Sequence, residues 1–271
     1  MDVLLYIIFI IFGLAIGSFL NVLIDRLPAK QSLVKPASHC DSCGKKLTAL
    51  DLIPILSFIF LRGRCRYCRA RIPWRVLIVE VSGGLIFALS YWRFAASIEP
   101  DNYAALFITA FWGCIFLVII FIDWERKLIL NRITYPAAIV ALIILGIETL
   151  LPEIEILGER NFVPDTVILS GLIGGAIGFM FFFIVFIINP RGMGMGDIKL
   201  ALLIGLVTGF PLVIPGLLIG IIIGGIAAIV LLMFKLKARK DVIPYGTFLA
   251  IGPIITLFWG NEILDWYLGF F

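Results

Sequence analysis

The chain has 271 residues, of which 62% are hydrophobic and only 15% are charged, and its net charge is +4. A soluble domain carries about 45–50% apolar and about 25% charged residues, so this composition excludes an ordinary soluble enzyme and a disordered, collagen-like or coiled-coil chain. The relevant unit is the membrane span, because about 20 apolar residues cross about 30 Å of hydrocarbon.

Eight apolar runs are candidates for membrane-spanning helices. They cover residues 3–24, 76–96, 104–122, 133–151, 166–188, 198–210, 212–234 and 247–268. The first run lacks the basic stretch and the small-residue cleavage site of a signal peptide, so we interpret it as a retained span. The sixth is short, and we expect it to begin in irregular backbone buried within the protein. The predicted fold class is an all-α polytopic membrane protein with about eight transmembrane helices.

Basic residues are concentrated on alternate connections between these runs. Of the 22 Lys and Arg residues, all but Arg93 and Arg160 follow this pattern, and the connection 25–75 holds half of them. Loops rich in Lys and Arg stay in the cytoplasm. The pattern therefore predicts an N-terminus outside the cell and a cytoplasmic loop at residues 25–75.

This polar loop contains two C-x-x-C pairs, Cys40-Asp-Ser-Cys43 and Cys65-Arg-Tyr-Cys68. The spacing is typical of a tetrahedral zinc site with four thiolate ligands. Four cysteines leave no position for a catalytic water, so we predict structural zinc. Two alternatives stay open at this point: two disulfides, or reduced cysteines without a metal.

Three other features of the sequence do not indicate further functional sites. His39 precedes Cys40 and can replace a ligand, but we interpret it as a surface residue. Cys114 lies in the middle of the third run and is predicted to be a small packing residue. A basic loop between two spans follows from the topology alone, so we expect a lipid bilayer and no nucleic acid as partner.

Three acidic residues stand out because ionisable groups within or next to a span are costly and are candidates for function. Asp123 ends the third run, Asp197 opens the sixth, and Glu80 lies in the second. The predicted topology places Asp123 and Asp197 at the same face and at similar depth. Two carboxylates that share a site hold one proton between them, as in an aspartic protease. The alternative is that Asp197 caps its helix and Asp123 pairs with a neighbouring lysine.

The residues before Asp197 include glycines at positions 192, 194 and 196. Because glycine carries no side chain, we expect an open backbone there that a substrate strand can approach.

Several short motifs occur in a fixed order along almost the whole chain. They are Gly17-Ser-Phe-Leu-Asn-Val22 with Asp25-Arg-Leu-Pro28, the paired C-x-x-C motifs, Ile72-Pro-Trp-Arg75, Val79-Glu80 through Gly84-Leu85, Asp123, Gly194-Met-Gly-Asp197, and Ile243-Pro-Tyr-Gly246 through Ala250. In these motifs the chain resembles the bacterial type IV prepilin peptidases, a family of GxGD aspartic peptidases that are also N-methyltransferases. It departs from the family pattern at Thr247, where Pro is usual, and at Asn131-Arg132, where Pro-Asp is usual.

The resemblance implies that Asp123 and Asp197 are catalytic. It also implies that the substrates are type IV prepilin or pseudopilin precursors, cut at the cytoplasmic face of the bacterial inner membrane. The new N-terminus would then be methylated from S-adenosylmethionine. The corresponding domains are a first helix at 1–24, a zinc-binding loop at 25–75 that acts with the second helix in methyl transfer, and a seven-helix peptidase core at 76–271.

Residues for methyl transfer are harder to assign, because no glycine-rich loop of the Rossmann type is present. Glu80 is a candidate to orient or deprotonate the new amine, and Gly84 lies one turn further along the same helix. The alternatives are a structural pair between Glu80 and Arg75, and a helix-contact role for Gly84. Two other functions also stay open: a peptidase without methylation, and a non-catalytic zinc scaffold or transporter subunit in the membrane.

Overall fold

The computed structural model describes residues 3–94, 100–150, 167–190, 193–234 and 244–270. Within these ranges the chain is helical apart from two isolated β-bridges and connecting segments. The α-helices are α1 (Val3–Arg26), α2 (Leu56–Phe60), α3 (Trp74–Phe94), α4 (Pro100–Arg126), α5 (Asn131–Leu150), α6 (Val167–Ile188), α7 (Met195–Thr208), α8 (Val213–Met233), α9 (Tyr245–Leu249) and α10 (Ile251–Leu268).

Seven spans in the described part of the chain are long and apolar enough to cross a membrane. They are α1, α3, α4, α5, α6, α8, and α9 together with α10. The prediction of an all-α, multi-pass membrane protein is confirmed. The predicted span ends at 95–96, 151 and 166 lie outside the described residues.

The sixth predicted run forms α7, which has 14 residues and is not one of the seven spans. At 1.5 Å per residue it is about 21 Å long, shorter than the hydrocarbon core. Its side chains are nonetheless buried almost all round, and Leu200, Leu203 and Ile204 are fully enclosed. It contacts α5, α6, α8, α9 and α10. Protein rather than lipid therefore surrounds this short helix.

The chain divides into two compact units, Met1–Glu99 and Pro100–Phe271. In the first unit α1 and α3 pack backbone to backbone, because glycines line the contact. A Cβ atom on Gly13 would lie 2.6 Å from the carbonyl oxygen of Gly83, and one on Gly17 would lie 2.7 Å from the Cα of Glu80. Small residues at a helix contact are the usual means of close association in membranes.

In the second unit α6 and α7 make the same kind of contact. A Cβ atom on Gly205 of α7 would clash with the carbonyl group of Gly174 in α6, and one on Gly178 would clash with the carbonyl oxygen of Ala201. This contact holds α7 in place along its length.

We expect Gly205→Ala to lower the free energy of unfolding by about 1–3 kcal/mol, because the added methyl group forces the α6 backbone away. Gly225→Ala in α8 is the matched control, since a Cβ atom there meets nothing within 4 Å. Thermal unfolding in detergent checks both variants. Equal melting temperatures for the two would contradict the described packing of α6 against α7.

Candidate functional site

Asp123 lies three residues before the end of α4, and its side chain is only 4% exposed. Its Oδ2 atom accepts a hydrogen bond from the backbone N–H of Thr247 at 2.7 Å. The Thr247 hydroxyl lies 3.1 Å from the same oxygen and 3.2 Å from the carbonyl oxygen of Ile120. The start of α9 therefore fixes one oxygen of Asp123.

Asp197 occupies the first turn of α7 and is 9% exposed. Its Oδ2 atom accepts a hydrogen bond from the backbone N–H of Gly194 at 3.2 Å. Gly194 is the N-cap residue of α7, so Asp197 does cap its own helix. This cap uses one oxygen of the carboxyl group, and capping is therefore compatible with a second role.

The two carboxyl groups are brought together by contacts around Ile129, which follows α4. A Cβ atom on Gly196, next to Asp197, would lie 2.9 Å from the Cβ of Ile129. A Cβ atom on Gly246, next to Thr247, would lie 2.7 Å from the Cδ1 of Ile129. A Cβ atom on Gly246 would also lie 3.1 Å from the Oδ2 of Asp123, so both carboxyl groups lie next to the residues that pack on Ile129.

The expectation of an open backbone before Asp197 is wrong at Gly196. Ile129 fills the space that the missing side chain leaves, so this glycine serves the approach of two parts of the same chain. A Cβ atom on Gly194 would have only Asp197 and Gly196 within 4 Å. Gly192 lies outside the described residues.

Two contacts of this pair were missed by the sequence analysis. Thr247 donates to Asp123 through its backbone N–H and through its hydroxyl group. Both belong to the segment that resembles the family, but a threonine at the start of a helix looks like an ordinary cap.

A further buried acid, Glu148, is near the far end of α5. Glu148 lies about 26 Å along α5 from Asn131, the first residue of that helix. It is therefore at the opposite end of α5 from Ile129, which precedes the helix.

The four cysteines of the polar loop form one cluster. The Sγ atoms of Cys40, Cys43, Cys65 and Cys68 lie within 4.8 Å of one another, and those of Cys40 and Cys68 are 3.8 Å apart. Four sulfur atoms at about 2.3 Å from a tetrahedral zinc ion would be about 3.8 Å apart. The set therefore fits one tetrahedral metal ion.

The two C-x-x-C turns have the same backbone construction. Gly44 and Arg69, each directly after the second cysteine of its pair, have φ angles of 68° and 61°. The N–H of Gly44 donates to the carbonyl oxygen of Cys40, and that of Arg69 to the carbonyl oxygen of Cys65. Arg69 accepts the left-handed conformation, which costs a side-chain-bearing residue about 1–2 kcal/mol.

The thiols of the second pair differ in their acidity. Backbone N–H groups of Cys68 and Tyr67 donate to the Cys65 sulfur and lower the pKa of Cys65 to about 7. The N–H of Ala70 stabilises the Cys68 thiolate, but desolvation and the neighbouring thiols outweigh it and raise the pKa of Cys68 to about 11. Several thiolates at this spacing need a cation to offset their charge.

The structure bears on the disulfide alternative for these cysteines and on the roles of His39 and Cys114. Cys40, Cys43, Cys65 and Cys68 are all free, so the structure does not contain the two disulfides. His39 is exposed and lies outside the four-sulfur cluster, with its ring 3.1 Å from the carbonyl oxygen of Ala37. Cys114 is buried in α4, as expected of a packing residue.

Glu80 in α3 is 4% exposed and is held by the polar loop and by α1. Its Oε2 atom accepts the backbone N–H of Ile55 at 2.8 Å, and α1 packs against the backbone of Glu80 at Gly17. Arg75, the partner proposed in the alternative, instead pairs with Asp25 at 2.8 Å. Gly84 packs against α1, where a Cβ atom would lie 2.6 Å from Leu14.

The sequence of the chain matches models of known protein families. Two family models match in order: the Bacterial Peptidase A24 N-terminal domain over residues 11–94 and the Type IV leader peptidase family over residues 110–229. No solved structure matches the chain.

The curated relatives cover nearly the whole length. A prepilin leader peptidase/N-methyltransferase of Bacillus subtilis (strain 168) is 30% identical over 261 residues, which is 96% of this chain and 97% of that protein. The protein of the same name from Aeromonas hydrophila is 32% identical over 286 residues, 95% of this chain and 92% of the relative. That from Pseudomonas putida is 29% identical over 280 residues, with 93% and 90% covered. The chain belongs to the type IV leader peptidase family.

We expect purified protein to carry about one zinc ion per chain, and Cys43→Ser to release it and destabilise the loop. Cys114→Ala is the matched control, because that thiol lies outside the cluster. Metal analysis by mass spectrometry measures both variants. A fully active protein that contains no metal and keeps an ordered loop would contradict the assignment.

Proposed function

We propose that this protein is a membrane aspartic endopeptidase that removes the short basic leader of type IV prepilin-like or pseudopilin precursors and then N-methylates the new N-terminal residue. The observation that carries the proposal is the buried pair Asp123 and Asp197, each with one oxygen held by a backbone N–H. The names of the relatives supply the substrate class. These names join a leader peptidase to an N-methyltransferase, which supports assigning both activities to one chain.

The two acids differ in the hydrogen bonds they accept, and this difference assigns their roles in cleavage. Asp123 has the shorter backbone hydrogen bond and the additional hydroxyl of Thr247, so we assign it as the ionised member. It takes a proton from a water molecule, which attacks the peptide carbonyl carbon. Protonated Asp197 gives its proton to the carbonyl oxygen. When the tetrahedral intermediate collapses, the leaving amine receives the proton held by Asp123, and a hydroxyl group of the intermediate returns a proton to Asp197, which restores both carboxyl groups.

The location we propose is the bacterial inner membrane, with the acid pair and the cysteine loop on the cytoplasmic side. The distribution of Lys and Arg over alternate connections supports this orientation. A basic leader is retained on the cytoplasmic side by the same rule. Substrate and active site then meet at one membrane face.

Zinc is proposed as the structural ion of the four-cysteine cluster, and it takes no part in cleavage. Four sulfur ligands complete a tetrahedral shell and leave no place for a water molecule. The ion would join the two C-x-x-C turns and so fix the ends of the segment between them. Folding of the loop is then coupled to metal binding.

S-adenosylmethionine supplies the methyl group in the second activity. Glu80 is a buried acid of the first unit, and its carboxyl group has the chemistry to orient an N-terminal amine and accept its proton. A negative charge there also favours a cationic methyl donor. Gly84 contributes only by letting α1 approach α3 beside Glu80.

We expect Asp123→Asn and Asp197→Asn each to lower kcat for cleavage of a pilin-like peptide by more than about 10³-fold. The double variant should lose little more activity, because the two carboxyl groups act as one unit. The pH profile of the unsubstituted protein should be bell-shaped, with apparent constants that belong to the pair.

Asp265→Asn is the matched control for this test, since Asp265 is exposed near the end of α10. It should cleave at the normal rate. Near-normal cleavage by either Asp123→Asn or Asp197→Asn would rule out the two-aspartate mechanism.

We expect Glu80→Gln to cleave normally but to lower methylation of the product by about 10²-fold or more. Glutamine keeps an oxygen that can accept the Ile55 N–H, so the loop contact survives while the charge is lost. Mass spectrometry of the processed N-terminus detects loss of the methyl increment. A fully methylated product would make Glu80 a structural residue and move the methyl-transfer site elsewhere.

A further inference from the structure

The segment between the two C-x-x-C turns exposes an unusual number of large apolar side chains. Leu50, Leu52 and Ile53 are 63%, 42% and 39% exposed, and Leu56, Ile59 and Phe60 are 51%, 60% and 80% exposed. The segment runs from the 3₁₀ turn Ala49–Asp51 through α2. An apolar patch of this kind on a water-exposed loop marks an interaction surface.

A hydrogen bond fixes the depth of this segment beside α3. The N–H of Ile55 donates to Glu80, which lies five residues beyond Arg75. Arg75 pairs with the exposed Asp25 near the end of α1, so this ion pair marks where the two helices leave their apolar stretches. At 1.5 Å per residue, Glu80 lies about 7.5 Å along α3 from Arg75, on the apolar side of that ion pair, and Ile55 is bonded to its side chain.

A place among lipid chains requires internal partners for backbone polar groups, and much of the backbone of this segment has them. The N–H of Ile55, at a φ of 61°, is satisfied by Glu80. The carbonyl group of Thr48 accepts the N–H of Asp51, and carbonyl groups of the segment itself accept the N–H groups of Leu52, Leu56, Ser57, Ile59 and Leu61.

Both ends of the segment are tied to polar or interfacial groups. The ring of Phe58 packs against Trp74, the first residue of α3, with centroids 5.2 Å apart. Tryptophan is enriched at the boundary between lipid and water. Asp51 pairs with Arg66 at 2.6 Å, which connects the start of the segment to the second C-x-x-C turn.

Exposed arginines follow the apolar segment directly. They are Arg62, Arg64, Arg66, Arg69 and Arg71. Basic residues next to an apolar segment bind anionic headgroups. The apolar segment and the arginines together have the composition of an interfacial element.

We propose that residues 50–60 insert into the headgroup and acyl boundary of the lipid bilayer, so that the four-cysteine cluster is held against the membrane surface. Leu56, Ile59 and Phe60 contact acyl chains, and the arginines from Arg62 onward contact phosphate groups. The role of Glu80 in this arrangement is to satisfy the N–H of Ile55 at membrane depth. The proposal is independent of the cleavage reaction.

The test places a photoreactive benzophenone amino acid at position 60 of the full-length protein in nanodiscs of phosphatidylethanolamine and phosphatidylglycerol. Position 34 is the matched control, because Val34 is also 80% exposed but lies in the turn whose carbonyl groups bind Arg26 at the end of α1. After irradiation, mass spectrometry identifies the adducts. We expect lipid adducts at position 60 with a yield several-fold above that at position 34.

Other occupants of this surface give different products. Crosslinks from position 60 to residues 100–271, to a second copy of the chain, or to an added pilin-like peptide would overturn the proposal, as would equal lipid yields at positions 60 and 34. Zinc content reports whether each variant is folded. If the variant at position 60 loses zinc, the same measurement at Ile59 decides, with the same expected and contrary results.

Discussion

Polar groups in a membrane must find partners within the protein, and this requirement organises the whole structure. The acids Glu80, Asp123 and Asp197 each accept a backbone N–H, from Ile55, Thr247 and Gly194 respectively. In every case the donor lies where regular helix begins or is interrupted, because only there is an N–H free of its helical partner. Each acid thus satisfies an irregular piece of backbone while that backbone holds the acid in place.

Much of this arrangement is predictable from the sequence, since it depends on local composition. Runs of about 20 apolar residues become helices because lipid leaves no alternative for their backbone. Each C-x-x-C pair forms a single turn that brings two sulfur atoms together, and the two turns meet in one four-sulfur cluster. The position of Asp123 and Asp197 at one face followed from counting spans and locating basic loops.

The contacts that hold the site together depend on distant residues and were not predictable. Nothing near Ile129 in the sequence indicates that its side chain fills the space beside both Gly196 and Gly246. Nor does the sequence around Glu80 indicate a bond to a backbone group 25 residues earlier, when Arg75 is a nearer and charged candidate. The last span is also divided at Ala250 into α9 and α10. Thr247 lies in the short helix α9, and its backbone N–H donates to Asp123.

The burial of α7 has a consequence for how the protein is assembled. A helix of 14 residues is too short to be inserted into a bilayer as an independent spanning segment. It becomes stable only when the longer helices around it are already in the membrane and offer it protein contacts on every side. Asp197, carried on its first turn, therefore depends on those longer helices for its position. Under the proposed two-aspartate mechanism, the carboxyl pair exists only where the helix bundle around α7 is assembled.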